Sequence, residues 1–159
     1  MKSEEVKRWA AEAGAVACGI ATVQHVDAEN INAYRQWVAD GRHGHMEYLA
    51  RYDHLRLDPA QLLDGARSVI SCAFPYQLQH DCAIASYALG DDYHEVLRQR
   101  LGTVAQRLAE NYGAATRICV DTAPLLERYW AVKAGVGFIG RNHQLIVPDC
   151  GSAVLLGEI

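Results

Sequence analysis

Asp121 closes the apolar run ICVD and precedes TAPLLERYWAVKA, a stretch with the pattern of a helix start. Open α/β sheets place ligand-binding groups at junctions of this kind. Two chemistries compete for the residue. An aspartate that caps a helix is held ionised by the dipole and by the capping hydrogen bonds. A general acid needs a low-dielectric pocket that keeps its proton near neutrality. The sequence leaves both open.

Downstream, GVGFIG matches the spacing G-x-G-x-x-G at Gly135, Gly137 and Gly140. A dinucleotide fingerprint needs a strand before the glycines and a helix after them, so that the helix N-terminus receives the pyrophosphate. Here the pattern is inverted. A helix over 122–134 precedes Gly135, and HQLIV reads as a strand. The match is therefore rejected. Gly135 reads as the helix stop, and Gly137 and Gly140 permit a tight backbone path. That path either turns a corner or brings backbone close to a flat ligand. Local sequence favours the corner.

The seven histidines invite a metal reading, with His43, His45 and His54 close in sequence. They lack a cysteine or acid frame, so they read as surface residues. The five cysteines, Cys18, Cys72, Cys82, Cys119 and Cys150, form no C-x-x-C. Neither a zinc ribbon nor an iron–sulfur run is encoded. They read as reduced thiols of a cytoplasmic protein, several as small buried hydrophobes. No G-x-S-x-G elbow and no P-loop occurs.

These residues must be positioned by one domain. The chain has 159 residues, 50% of them hydrophobic and 21% charged, with a formal net charge of -4. That composition buries a core without disulfides and shows no basic tract for nucleic acid. No apolar run approaches the roughly 20 residues of a membrane span, and the charged N-terminus is not a signal peptide.

The spacing predicts a helix starting at a Ser3 cap and stopping at Gly14, a buried strand over 15–23, and helices over 28–40 and 45–52. Asp58-Pro59 starts a short helix that Gly65 ends, and 68–74 is a strand closed by Pro75. After a loop over 76–90, Asp91 or Asp92 caps the longest helix, to about Tyr112, stopped by Gly113. Strands follow over 115–121, 143–148 and 152–159, the last two joined by a tight PDCG turn. This order predicts an α+β domain with a mixed or antiparallel sheet flanked by helices. The chain ends inside a strand at Ile159, so it is expected to be cut from a longer one.

Four segments together resemble one family. They are GRHGHMEYLARYDHLRLDPAQLLDGARSVIS, SYALGDDYHEVLRQRL, VDTAPLLERYWAVKAGVGFIGRN and GSAVLLGEI. Their order and spacing, over roughly residues 42–159, are similar to the N-terminal domain of the epoxyqueuosine reductases, cobalamin-dependent enzymes that complete queuosine in tRNA. The resemblance implies a three-layer α/β/α sandwich, similar to nitroreductase-like and cobalamin-processing folds. It implies one cobalamin-binding catalytic domain over 1–159, followed in the longer chain by a ferredoxin-like domain carrying 4Fe–4S clusters. The implied partner is tRNA carrying epoxyqueuosine, met by a cytoplasmic monomer without membrane attachment.

By the same resemblance Asp121 is the proton donor. Arg56, Ala85, Asp121, Arg128, Arg141, Asn142, Leu145, Gly151 and Leu156 contribute to the cobalamin pocket, several through backbone. The glycines would then let backbone approach the edge of a broad corrin ring. No metal ligand is expected within this chain. Two positions depart from the family's pattern: Ser86 stands where arginine is usual, and Ala85 where some members carry cysteine. These departures leave open a module that holds cobalamin without reductase chemistry. A flavin-dependent reductase on a related fold is the other alternative.

Overall fold

The computed structural model describes residues 2–78, 81 and 83–159. Cys82, read above as a reduced thiol, lies outside the described residues. Cys18, Cys72, Cys119 and Cys150 are all free.

Helix α1 (Ser3–Glu12) buries the stripe Val6, Trp9 and Ala10, with Glu4 and Glu5 in its first turn. Its N-cap is Lys2, without a side-chain cap, so Ser3 is the first helical residue and not the cap. Strand β1 (Ala17–Thr22) follows. Helix α2 (Ala28–Ala39) is capped by Asp27, which accepts from the Asn30 N–H, and buries none of its residues. The single helix expected over 45–52 is instead a pair, α3 (Tyr48–Arg51) and α4 (Asp53–Leu57). The turn that follows Asp58 is a 3-10 segment, Pro59–Gln61.

Strand β2 (Ser68–Pro75) is the centre of the fold. It pairs antiparallel with β1 on one side and with β5 (Val154–Glu158) on the other. Both of its faces are covered, which is why SVISCAF is mostly apolar, with Ser71 as its one buried polar side chain. Ile70, Cys72 and Phe74 pack under α1 and under α5 (Tyr93–Tyr112), against Leu97, Leu101, Val104 and Leu108. On the opposite face Val69 meets Trp130 and Leu125, and Ala73 meets Ala131. Trp130 and Ala131 belong to α6 (Glu127–Lys133). Asp92 caps α5 by accepting from the His94 N–H, and Gly113 ends it at φ +61°.

Three expectations are corrected. Residues 115–121 form no strand; Cys119 alone bridges to Glu158, through reciprocal backbone bonds of 2.8 Å. Arg117 also ties this segment to the turn before β2 by donating to the Leu62 carbonyl. The helix expected over 122–134 starts only at Glu127. Pro124 disfavours the α region at Ala123, and the chain makes short turns there, Thr122 N–H to the Val120 carbonyl and Leu125 N–H to the Ala123 carbonyl.

The PDCG turn does not join neighbouring strands of one sheet. Strand β4 (Leu145–Ile146) pairs with β3 (Phe138–Ile139), which lies inside GVGFIG, whereas β5 returns to β2. The glycines serve this small hairpin. A Cβ on Gly137 would sit 2.3 Å from the Ile146 carbonyl oxygen, and one on Gly140 2.4 Å from Ile146 Cδ1. The close neighbour is the chain itself, as the corner reading holds, and the dinucleotide match stays rejected. All strand pairing among the described residues is antiparallel. No described helix is long and apolar enough to cross a membrane.

Candidate active site around Asp121

Cys119 and Val120 are buried and carry the chain to Asp121. Asp121 itself adopts φ +48°, a left-handed conformation that aspartate tolerates better than most residues. Its backbone N–H donates to Glu127 Oε1 at 2.6 Å. Its side chain is 58% exposed. Asp121 is therefore neither a helix cap nor a buried acid: α6 begins six residues later, behind Leu126 as N-cap.

The first turn of α5 supplies its partners. Tyr93 Oη donates to Asp121 Oδ2 at 3.1 Å, and His94 Nε2 lies 3.2 Å from the same oxygen. The other imidazole nitrogen, Nδ1, is 2.7 Å from Asp92 Oδ1. The Tyr93 and His94 rings stack with centroids 4.0 Å apart. Tyr87 packs edge-on against Tyr93, and Tyr76 against Tyr87. These three tyrosines line a cavity of about 350 Å³ together with Phe74, Arg100 and Leu155.

The electrostatics follow from these contacts. The Asp92 hydrogen bond, helped by Asp121, raises His94 and favours imidazolium. Burial and the Asp121 charge push the Tyr93 phenol up to about 12, so it stays a donor. Burial pushes Glu127 up to about 7, against the pull of the Asp121 N–H bond; Asp121's charge adds to the rise, and Arg128 and Arg56 oppose it. Glu158, only 1% exposed, is raised well above the ordinary carboxylate range by burial and by Glu127. Its Oε1 accepts from Ser71 Oγ, and its buried Oε2 has no hydrogen-bond partner.

The remaining expected residues divide into groups. Arg56, on α4, is buried, its charge reaches Glu127, and its buried Nε has no hydrogen-bond partner. Arg128 is exposed and donates to the His143 carbonyl, which ties α6 to the loop carrying Arg141 and Asn142. Arg141 and Asn142 are exposed; Asn142 Oδ1 accepts from the Gln144 N–H. Leu145 is turned into the core beside Ala73 and Ala131, so only its backbone could face a ligand. Leu156 packs half-buried on that cluster, and Gly151 turns the chain at φ +83°. Ala85 is exposed and opens the 3-10 turn Ser86–Ala88.

Sequence reasoning missed Tyr93, His94, Glu127 and Glu158 as site residues. The histidine at the site is His94, not the group at 43, 45 and 54. One signal was available: a Tyr-His pair directly behind the cap Asp92 puts both side chains at a helix N-terminus. Among the described residues no group of three or more metal-type side chains is placed to hold an ion.

The α+β domain thus presents an exposed acid held between a phenol and an imidazole. The relatives give it a particular context. The family model described as "Epoxyqueuosine reductase QueG, DUF1730" matches residues 56–122. An epoxyqueuosine reductase of Leadbetterella byssophila is 37% identical over 163 residues, covering 99% of this chain and 54% of the relative. The solved structure of epoxyqueuosine reductase from Streptococcus thermophilus superposes with a TM-score of 0.85 at 28% identity, covering 98% of this chain and 44% of that one.

A second solved structure is an epoxyqueuosine reductase with an epoxyqueuosine-modified tRNA-Tyr stem loop, at TM-score 0.81 and 26% identity, over 98% of this chain and 44% of that one. A third, from Bacillus subtilis, is described with its catalytic aspartate loop swung out of the active site, at TM-score 0.77 and 25% identity, over 98% and 43%. The resemblance to the epoxyqueuosine reductase family is borne out. The chain spans about half the length of the curated relatives it matches.

Proposed function

We propose that this chain is the cobalamin-binding domain of an epoxyqueuosine reductase, with Asp121 as the acid that protonates the departing epoxide oxygen. Removing that oxygen from epoxyqueuosine in tRNA consumes two electrons and two protons, forms the alkene of queuosine and releases water. In the longer protein, 4Fe–4S clusters of a following domain would supply the electrons. Cobalamin, when bound, supplies the reducing centre at the substrate carbon.

The observation that carries the reading is the setting of Asp121. Its carboxyl is open to an incoming substrate, and a single oxygen, Oδ2, is held by Tyr93 and His94. The other oxygen would face the substrate. After the proton is given up, the Tyr93 hydroxyl and an imidazolium at His94 stabilise the carboxylate. The chain Asp92–His94–Asp121 then offers a route for a new proton.

The residues fit a broad ligand rich in amides. Arg56 has an unpaired buried Nε–H, and Arg141 and Asn142 stand exposed on the loop that Arg128 ties to α6. These four would hold cobalamin with side chains; Leu145, Gly151 and Leu156 would do so with backbone, and Ala85 would border it. Helices α1 and α5 on one sheet face and α6 on the other support the three-layer, nitroreductase-like reading of the fold.

A visible-absorbance and EPR titration of this chain with cob(II)alamin tests the cofactor assignment. A stoichiometric change to the base-off spectrum is the expected outcome. Absence of binding here and in the longer protein contradicts it.

A further inference from the structure

Val120 and Leu125 are both buried, and the residues between them, 121–124, form an exposed to half-buried loop. Upstream it is anchored by the Cys119–Glu158 bridge. Its own turn bonds, Thr122 N–H to the Val120 carbonyl and Leu125 N–H to the Ala123 carbonyl, join it only to its immediate chain neighbours. The backbone of Asp121 is tied to the body of the domain by the bond from its N–H to Glu127 Oε1. The Tyr93 and His94 contacts act on the side chain only.

Resting on the reading of Asp121 as the acid, we propose that the Glu127 carboxylate is the latch that holds the Asp121 loop in the site, and that protonation of Glu127 releases it. Glu127 is a positioning residue and transfers no proton to substrate. A carboxylate accepts a backbone N–H in a charge-assisted bond, and a neutral carboxylic acid accepts it more weakly.

The groups around Glu127 are divided. Burial and the Asp121 charge favour its neutral form, and the buried Glu158 of β5 is in turn raised by burial and by Glu127. Arg128 on α6, Arg56 on α4 and the Asp121 N–H favour the ionised form. Tyr93 on α5 and Cys119 also feel its charge, and both stay protonated near neutrality. The balance falls at about 7, so the latch changes state near neutral pH.

Backbone amide exchange of residues 121–125 tests this without any turnover. It is followed in the protein between about pH 5 and about pH 9 and expressed as protection factors, which remove the intrinsic pH dependence of exchange. The account predicts that protection of the Asp121 amide rises about tenfold as pH increases through neutrality. In Glu127→Gln it stays low and flat, because the neutral amide oxygen still accepts but without charge. Protection that is pH-independent in the wild type, or unchanged in Glu127→Gln, overturns the latch; the wild-type series needs no variant.

In the longer protein the account further predicts that Glu127→Gln lowers kcat about tenfold with KM unchanged and removes an inflection near neutrality. Equal losses at every pH overturn the proposal. Failure of the reading of Asp121 itself shows separately, as retained turnover in Asp121→Asn while amide exchange still responds to Glu127.

Discussion

His94 Nε2 lies 3.2 Å from Asp121 Oδ2, and this contact joins the first turn of the longest helix to the end of an apolar segment 27 residues further along. Its Nδ1 rests 2.7 Å from Asp92, the residue that also caps the same helix. The cap thus does two things: it starts α5, and it orients the imidazole that faces Asp121. Replacing His94 with Ala leaves Tyr93 as the donor to the Asp121 carboxylate among the described residues. Turnover in the longer protein is expected to fall about a hundredfold, the lower end for a lost proton-transfer group. Steady-state kinetics with the tRNA substrate check this.

The same contact has a stability consequence. The folded-state value of His94 is raised above the ordinary 6.5. Its contribution is therefore fully present below 6.5 and is lost as pH rises through the folded-state value. The Asp92 carboxylate, held low by the His94 hydrogen bond, contributes above its ordinary 3.8 and loses that contribution as pH falls through its folded value. Replacing His94 with Gln should therefore destabilise the domain more at pH values between these two ranges than at alkaline pH, as read from thermal melts.

Glu127 and Glu158 act in the same direction as His94, and opposite to Asp92, on the alkaline side. Both are raised, Glu127 from 4.5 to about 7. Such acids bind protons more tightly when folded, so their stabilising contribution is present below 4.5 and is lost as pH rises through the folded value. Glu158→Gln keeps the size of the side chain and removes a buried ionisable group. Its melting temperature should exceed that of the wild type at alkaline pH and approach it at acid pH. A variant less stable at every pH contradicts this assignment.

Gly137 is set by its close neighbour. A Cβ there would lie 2.3 Å from the Ile146 carbonyl oxygen, a backbone atom that cannot swing away. Gly137→Ala should force the β3–β4 hairpin apart and lower stability by roughly 1–3 kcal/mol. Denaturant unfolding measures it. Gly41→Ala, where nothing crowds the Cβ, is strained only by its φ of +69° and should cost about 1 kcal/mol.

The long helix, its cap and its glycine stop were legible because a stripe at 3.6-residue spacing repeats through Leu97, Leu101, Val104 and Leu108. Strand β2 was legible because a strand buried on both faces is predominantly apolar. The hairpin inside GVGFIG was not, since two-residue strands carry no periodicity and their glycines report crowding by a distant Ile146. The segment 122–126 was read as helix because Pro124 suits a first turn; the restriction that proline places on Ala123 decided otherwise. Asp121 stood out from its place after an apolar run. Its partners did not, because Tyr93 and His94 reach it through the fold and not through neighbouring sequence.

Epoxyqueuosine reduction by the longer protein carrying Asp121→Asn, with cobalamin content measured on the same sample, tests the central claim most directly. The account predicts that cobalamin remains bound in full while formation of queuosine falls by about a hundredfold or more. Queuosine formation at the wild-type rate with cobalamin bound would contradict it.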